Sequence, residues 1–145
     1  MIKITPVMKE LLDHALADGT PCLIGTASKD GRPQISPKGS VAVYDDHTLC
    51  YWERSHRTSQ ARIGENSNVM VYYRNPARKE NPYRAGCIRF HGQARLVASG
   101  PERERAWSLT NHEEQSKDPE KKGAAVLIDL DLIEQIDSKV IMQRD

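Results

Sequence analysis

The chain has 145 residues, 38% hydrophobic and 28% charged, with 21 Lys and Arg set against 20 Asp and Glu. This supports a single domain over residues 1–145 with one core, and it excludes a disordered or collagen-like chain. No run approaches the roughly 20 apolar residues of a membrane helix and the first residues lack the apolar stretch of a signal peptide, so a cytoplasmic protein is expected, with no membrane partner.

Thr5-Pro6 sets up a helix start, and Met8, Leu11, Leu12, Ala15 and Leu16 recur at helical spacing until Gly19 supplies a stop. Pro21 to Ala27 is a short apolar run, and the Asp30-Gly31 pair after it signals a hairpin between antiparallel strands. The return segment, Gln34 to Tyr44, holds Pro37 and Gly39, which predict a kink or bulge before the strand resumes at Val41. Asp45-Asp46-His47 then turns the chain into a third strand, Thr48 to Trp52, and the polar stretch Ser55 to Asn66 reads as a short capped helix.

Asn68 to Arg74 is a fourth strand, followed by a loop over Asn75 to Gly86 of the length that often lines a site. Its basic residues are expected to be mobile. The fifth strand, Cys87 to Val97, alternates around Gly92, which predicts a bend or bulge. Ser99-Gly100-Pro101 opens a third helix, Asn111 to Gly123 reads as charged connecting chain, Ala124 to Ile133 as a sixth strand, and Lys139 to Met142 as a short seventh. The expected fold is therefore mainly β: a small antiparallel barrel of six or seven strands with about three short helices.

Cys22, Cys50 and Cys87 are widely spaced, with no C-x-x-C, and read as buried thiols. Net charge is near neutral overall, yet Arg54 to Arg95 holds nine basic residues against Glu65 and Glu80, a local excess of seven. That excess marks either an anion site or a solvated basic face offset by the acidic C-terminal third. A nucleic-acid partner is not expected, because the arginines interleave with strand positions and no recognition motif is present.

The strongest anion candidate is the segment before the second helix, where Arg57 can grip a phosphate bidentately while Thr58 and Ser59 add hydroxyl donors; the alternative is an N-cap beside a surface arginine. Ser36-Pro37-Lys38-Gly39 can present Lys38 to a ligand or mark an edge-strand kink. Tyr51, Trp52, Tyr72 and Tyr73 can stack on a planar ring or fill the core. His56, His91 and His112 lack metal-ligand spacing and no metal is expected. No motif supplies a nucleophile, so the catalytic residues stay unassigned and difficult chemistry would fall to a cofactor.

In order and spacing, Asp30-Gly31-Arg32-Pro33-Gln34-Ile35-Ser36-Pro37-Lys38-Gly39, Thr48-Leu49-Cys50-Tyr51-Trp52, Ser55-His56-Arg57-Thr58, Asn68-Val69-Met70-Val71 and Arg89-Phe90-His91-Gly92-Gln93-Ala94-Arg95 resemble the pyridoxamine 5'-phosphate oxidase-like FMN-binding split-barrel proteins. The likeness spans roughly Leu11 to Val97. It implies a Greek-key split barrel and a homodimer with FMN at the subunit interface. Arg57 falls on the family's phosphate-binding arginine and Thr58 where many members have lysine. Tyr51 and Trp52 fall where strand residues contact the flavin, Ser36 where the full-length oxidases carry an arginine to the cofactor, and Lys38 in the Ser-Pro-Lys-Gly form of shorter members.

Val41 replaces a flavin-contacting lysine and Cys87 lies near a glutamine position of the full-length oxidases, and the sequence stops at Asp145 before their substrate-binding segment. The resemblance thus implies a flavin-dependent oxidoreductase of a small substrate, exchanging a hydride at flavin N5, rather than a pyridoxal phosphate synthase. Two readings stay open beside it: a non-catalytic flavin- or haem-binding protein, and a deazaflavin-dependent reductase.

Overall fold

A computed structural model describes residues 1–54 and 58–145 of the chain. Thr5 caps helix α1, Pro6–His14, its hydroxyl accepting from the Met8 amide, and Met8, Leu11 and Leu12 form the buried stripe. The chain continues in turns to Gly19, which adopts φ 78°.

Strand β1, Cys22–Ala27, pairs antiparallel with β2, Pro33–Lys38, through the predicted hairpin, where Gly31 takes φ 90° and its amide bonds the Ser28 carbonyl at 3.0 Å. The return segment does more than kink. It splits into β2 and β3, Ala42–Asp45, which stand at opposite ends of the strand order β2-β1-β5-β6-β7-β4-β3. Pro37 is tolerated because β2 is an edge strand, where a missing amide donor breaks no ladder. The remaining strands are β4, Thr48–Glu53, β5, Asn68–Arg74, β6, Cys87–Val97, β7, Ala124–Glu134, and β8, Val140–Gln143, which pairs with β7. This eight-stranded antiparallel sheet curls without closing and is a split barrel.

Three further α-helices are present among the described residues: α2, Thr58–Glu65, α3, Pro101–Leu109, and α4, His112–Ser116. Helix α4 lies inside the stretch expected to be plain connecting chain. Asn111 caps it by accepting from the Glu114 amide at 2.9 Å, a start signal set in a charged run without apolar periodicity.

Every residue of β4 is buried, because both faces are covered. Leu49 and Tyr51 join the main core with Met8, Leu11, Ile24, Val71, Phe90 and Ile128, whereas Cys50 and Trp52 join Ala42, Ala106, Ala125 and Leu127 beneath α3. A strand covered on both faces reads as a continuous apolar run, as Thr48 to Trp52 does.

At Gly92 the β6–β7 register shifts, as predicted, and a Cβ there would stand 2.3 Å from the Asp129 carbonyl oxygen. Overpacking against sheet backbone has no flexible side chain to give way, so Gly92→Ala should destabilise by about 2 kcal/mol, read as a lowered urea midpoint. An unchanged midpoint would show that the bulge needs no glycine.

The loop over 75–86 is stapled rather than loose. The Asn81 side-chain amide donates to the Asn75 and Gly86 carbonyls, each at 3.0 Å, and Asn81 Oδ1 accepts from the Tyr83 amide at 3.1 Å. Arg78 ties the loop back to Asp18 at 2.7 Å. Part of the basic excess is paired in the same way: Arg84 with Asp137, Arg89 with Glu134 and Arg95 with Glu102.

Candidate functional site

The end of edge strand β2 comes up to the end of β4, the strand next to the opposite edge, where Lys38 meets Glu53. Residues at alternating positions of a strand share a face, so Ser36 and Lys38 of β2 point with Cys22 and Ile24 toward the inside, while Ile35 and Pro37 point out. From β4, Tyr51 and Glu53 share the inner face and Trp52 takes the other.

Lys38 crosses the seam. Its ammonium lies 2.9 Å from each carboxylate oxygen of Glu53 and 5.6 Å from the centre of the Tyr51 ring. Glu53 is only 1% exposed, and a buried carboxylate is found almost always with a partner. The Tyr51 hydroxyl is buried without a hydrogen-bond partner among the described residues, and burial pushes its pKa up. Ser40, beyond β2, accepts from the Trp52 amide at 2.9 Å and donates to the Trp52 carbonyl at 3.3 Å, so one side chain does there what a neighbouring strand would do.

Behind the seam the Trp52 indole N–H donates to Asp118 Oδ2 at 2.8 Å, its ring meets Trp107 edge-on at 4.8 Å, and the Arg103 guanidinium lies 4.9 Å over it. Helix α2 closes one end, with Ile63 in the main core, Arg62 donating to the Arg32 carbonyl at 2.7 Å and Asn66 to the Ser28 carbonyl at 3.1 Å.

Of the residues singled out in the sequence, Lys38 and Tyr51 come together, with Ser36 on the same face. Trp52 is turned away into the second cluster. Arg57 lies outside the described residues; Thr58 and Ser59 open α2, and their side chains lie outside the description as well. Sequence reasoning missed Glu53 and Asp118. Alternation along Thr48 to Glu53 places Glu53 beside Tyr51 and could have flagged it, whereas Asp118 sits in a charged run with no distinguishing signal.

On the outer face of β1, β5 and β6, Leu23, Gly25, Ile35, Met70, Tyr72, Arg89 and Ile136 line a trough of about 290 Å³. Ile35 is 69% exposed there. The Tyr72 hydroxyl lies 3.2 Å from the buried Cys87 sulfur, and Glu134 receives Arg89 at 3.2 Å and His91 at 3.0 Å. Burial raises the Glu134 carboxyl, but the bonds from His91 and Arg89 outweigh it and hold the pKa below the usual range. Val41 is buried. No group of three or more His, Cys, Asp and Glu suited to a metal occurs among the described residues.

The model of the pyridoxamine 5'-phosphate oxidase family matches residues 8–136. The chain belongs to that family. Among solved structures, this oxidase-family chain is similar to HupZ of Group A Streptococcus, with 22% identity, 98% of this chain and 99% of that one covered, and a TM-score of 0.71. It is similar also to a pyridoxamine 5'-phosphate oxidase-related, FMN-binding protein of Nostoc punctiforme, with 11% identity, 90% and 84% covered and a TM-score of 0.65. An F420 reductase superposes with 18% identity, 86% and 94% covered and a TM-score of 0.60. At these identities the likeness shows the fold alone. No curated protein sequence matches.

Proposed function

We propose that this family member is an FMN-binding flavoprotein acting as an oxidoreductase on a small molecule, in a homodimer with the cofactor at the subunit boundary. The family match over residues 8–136 carries the reading. The residues at the seam fit the group: a half-exposed edge with a cation, a serine, and a buried phenol whose hydroxyl has no partner among the described residues. FMN, when bound, supplies hydride exchange at flavin N5. Arg57 would hold the phosphate with Thr58 and Ser59, while Ser36, Lys38 and Tyr51 would line the seam that orients the cofactor and excludes water, with Trp52 backing it from the second cluster.

Denaturing freshly purified protein and weighing the released ligand tests this. FMN mass and a yellow two-band spectrum are expected; a deazaflavin coenzyme, haem or no ligand would overturn the cofactor assignment. Bound FMN that neither nicotinamide nucleotides nor added acceptors turn over would reassign the protein as a non-catalytic binder.

Arg57→Ala should weaken FMN binding by about 2 kcal/mol, the scale of a hydrogen bond to a charged group, as followed by quenching of flavin fluorescence. Unchanged affinity in a folded variant would remove Arg57 from the site. The apolar trough around Ile35 is the face we assign to the second copy, since exposed apolar area of this kind favours association. Light scattering at micromolar concentration should return a dimer mass, and a monomer would count against the assignment. The three cysteines are free and buried, which suits a reducing compartment, and we place the protein in the cytoplasm. No helix among the described residues is long and apolar enough to cross a membrane.

A further inference from the structure

The outer face of β1, β5 and β6 carries a cluster that the seam does not use. Gly25 stands in register between Ile35 of β2 and Met70 of β5, so the row of side chains crossing these strands has a gap at its middle. That gap is the floor of the trough of about 290 Å³, close to the smallest volume that small-molecule sites have, and Leu23, Ile35, Met70 and Ile136 make its walls apolar. The unbranched Met70 side chain lets one wall adapt to a ring.

Two polar groups reach this hollow, and both suit a neutral ligand. Tyr72 stands in the next row, paired with Leu23 and Arg89. The Cys87 thiol donates to the Ala85 carbonyl at 3.4 Å, so toward Tyr72 its sulfur acts as the acceptor and the Tyr72 hydroxyl, 3.2 Å away, donates to it. Sulfur accepts weakly, and a carbonyl oxygen in the trough is the better partner. The bond to Cys87, with burial, raises the Tyr72 pKa, so the donor keeps its proton. Arg89 also lines the trough, but Glu134, only 13% exposed, takes its charge at 3.2 Å. An anion brought there would meet that carboxylate as well as the cation.

We propose that the trough is a binding site for a neutral, flat ring bearing a carbonyl oxygen, with the ring over Gly25 and the oxygen accepting from Tyr72. A second copy seated on this face makes the trough a pocket at the subunit boundary, and the proposal then adds to the flavin reading above the class of small molecule taken there. It rests on that reading for its place beside the cofactor, and on the trough itself for binding.

Duroquinone and durene are the probes, since they share the same tetramethylated ring and differ in the carbonyl groups, and duroquinone has no free ring position for a thiol to substitute. Each is titrated into the full chain and followed by methyl NMR of Leu23, Ile35 and Met70, a readout that needs neither flavin nor turnover. Duroquinone should shift these methyls. Tyr72→Phe should weaken duroquinone about fivefold, the worth of one hydrogen bond, and leave durene within about twofold of the wild type. Methyls unmoved by duroquinone, as they would be if the second copy filled the hollow, overturn the proposal, and so does an equal loss for both probes in Tyr72→Phe.

Gly25→Val gives a second variant, because a Cβ at Gly25 meets only the Met70 carbonyl oxygen, at an ordinary 3.7 Å, and the added side chain fills the floor. It should weaken both probes about tenfold or more, and undiminished binding would place them elsewhere and overturn the proposal. The 2,3,5,6-tetramethylbenzoate anion should bind about tenfold more weakly than duroquinone; tighter binding would show that Arg89 leaves Glu134 for an anion, against the neutral class. Release of a ligand other than FMN from the purified protein would sink the flavin reading and leave the trough site standing. Release of FMN with unmoved methyls would sink the trough site alone.

Discussion

Asp118→Ala should destabilise the protein by about 4 kcal/mol at neutral pH, more than any single surface charge contributes, because the carboxylate serves two buried donors and a third, half-buried one at once. Asp118 is 9% exposed; Oδ2 accepts from the Trp52 indole and the Gly123 amide, both at 2.8 Å, and Oδ1 from the Lys122 amide at 3.0 Å. Truncation strands the indole N–H and the Gly123 amide away from water. Gly123 has no room to adjust, since a Cβ there would stand 2.5 Å from the Glu53 carbonyl oxygen.

Burial raises the Asp118 carboxyl, but the bonds from Trp52, Lys122 and Gly123 and the nearby Arg103 charge outweigh it, so its pKa is lowered from 3.8. A depressed folded-state pKa gives stability that is present above the unfolded value and is lost as pH falls through the folded one. The gap between wild type and Asp118→Ala should therefore be full at pH values above about 5 and narrow below about 3. Urea denaturation followed by tryptophan fluorescence at both pH values checks this. A gap of the same size at both would mean that the charge on Asp118 plays no part.

Local rules with one dominant cause were legible in the sequence. Thr5-Pro6 starts a helix because the proline fits its first turn and the threonine caps it, and Asp30-Gly31 makes a hairpin because the glycine supplies a positive φ. Gly92 marked the bulge because only a residue without Cβ clears the Asp129 carbonyl. What escaped depends on long-range placement. The Pro37–Gly39 signal is a break in either case, but whether the chain bends within one strand or crosses to the far edge of the sheet is decided by which strands β2 and β3 find, and no local feature encodes that. The ties within the loop escaped for a similar reason: Asn81, an ordinary loop residue by composition, bonds two carbonyls five and six positions away. At the seam, Lys38 and Tyr51, which the structure brings together, were singled out by pattern. Glu53, whose partner is 15 positions earlier, was not.

Pyridoxine 5'-phosphate should reduce bound FMN about a thousandfold more slowly than NADH or NADPH does, because a phosphorylated substrate needs an anion clamp of its own, and losing two charge-assisted hydrogen bonds costs about 4 kcal/mol. Arg57 cannot serve both phosphates. The other cations near the loop and the trough are already engaged: Lys38 by Glu53, Arg78 by Asp18 with Glu10 and Glu80 close by, Arg84 by Asp137 and Arg89 by Glu134. Arg74 and Lys79 stand exposed, where fixing a long side chain on a ligand costs rotamer entropy and water competes for the charge. Recruiting an engaged cation instead would leave its carboxylate facing the incoming phosphate. A neutral acceptor such as a quinone or nitro compound makes no such demand and suits the seam beside Tyr51 better. Anaerobic mixing of the FMN-loaded protein with each donor, followed at the flavin absorption band, gives the comparison directly. Bleaching by micromolar pyridoxine phosphate as fast as by the nicotinamides would show that a second clamp exists, and would return the chain to the chemistry its family is named for.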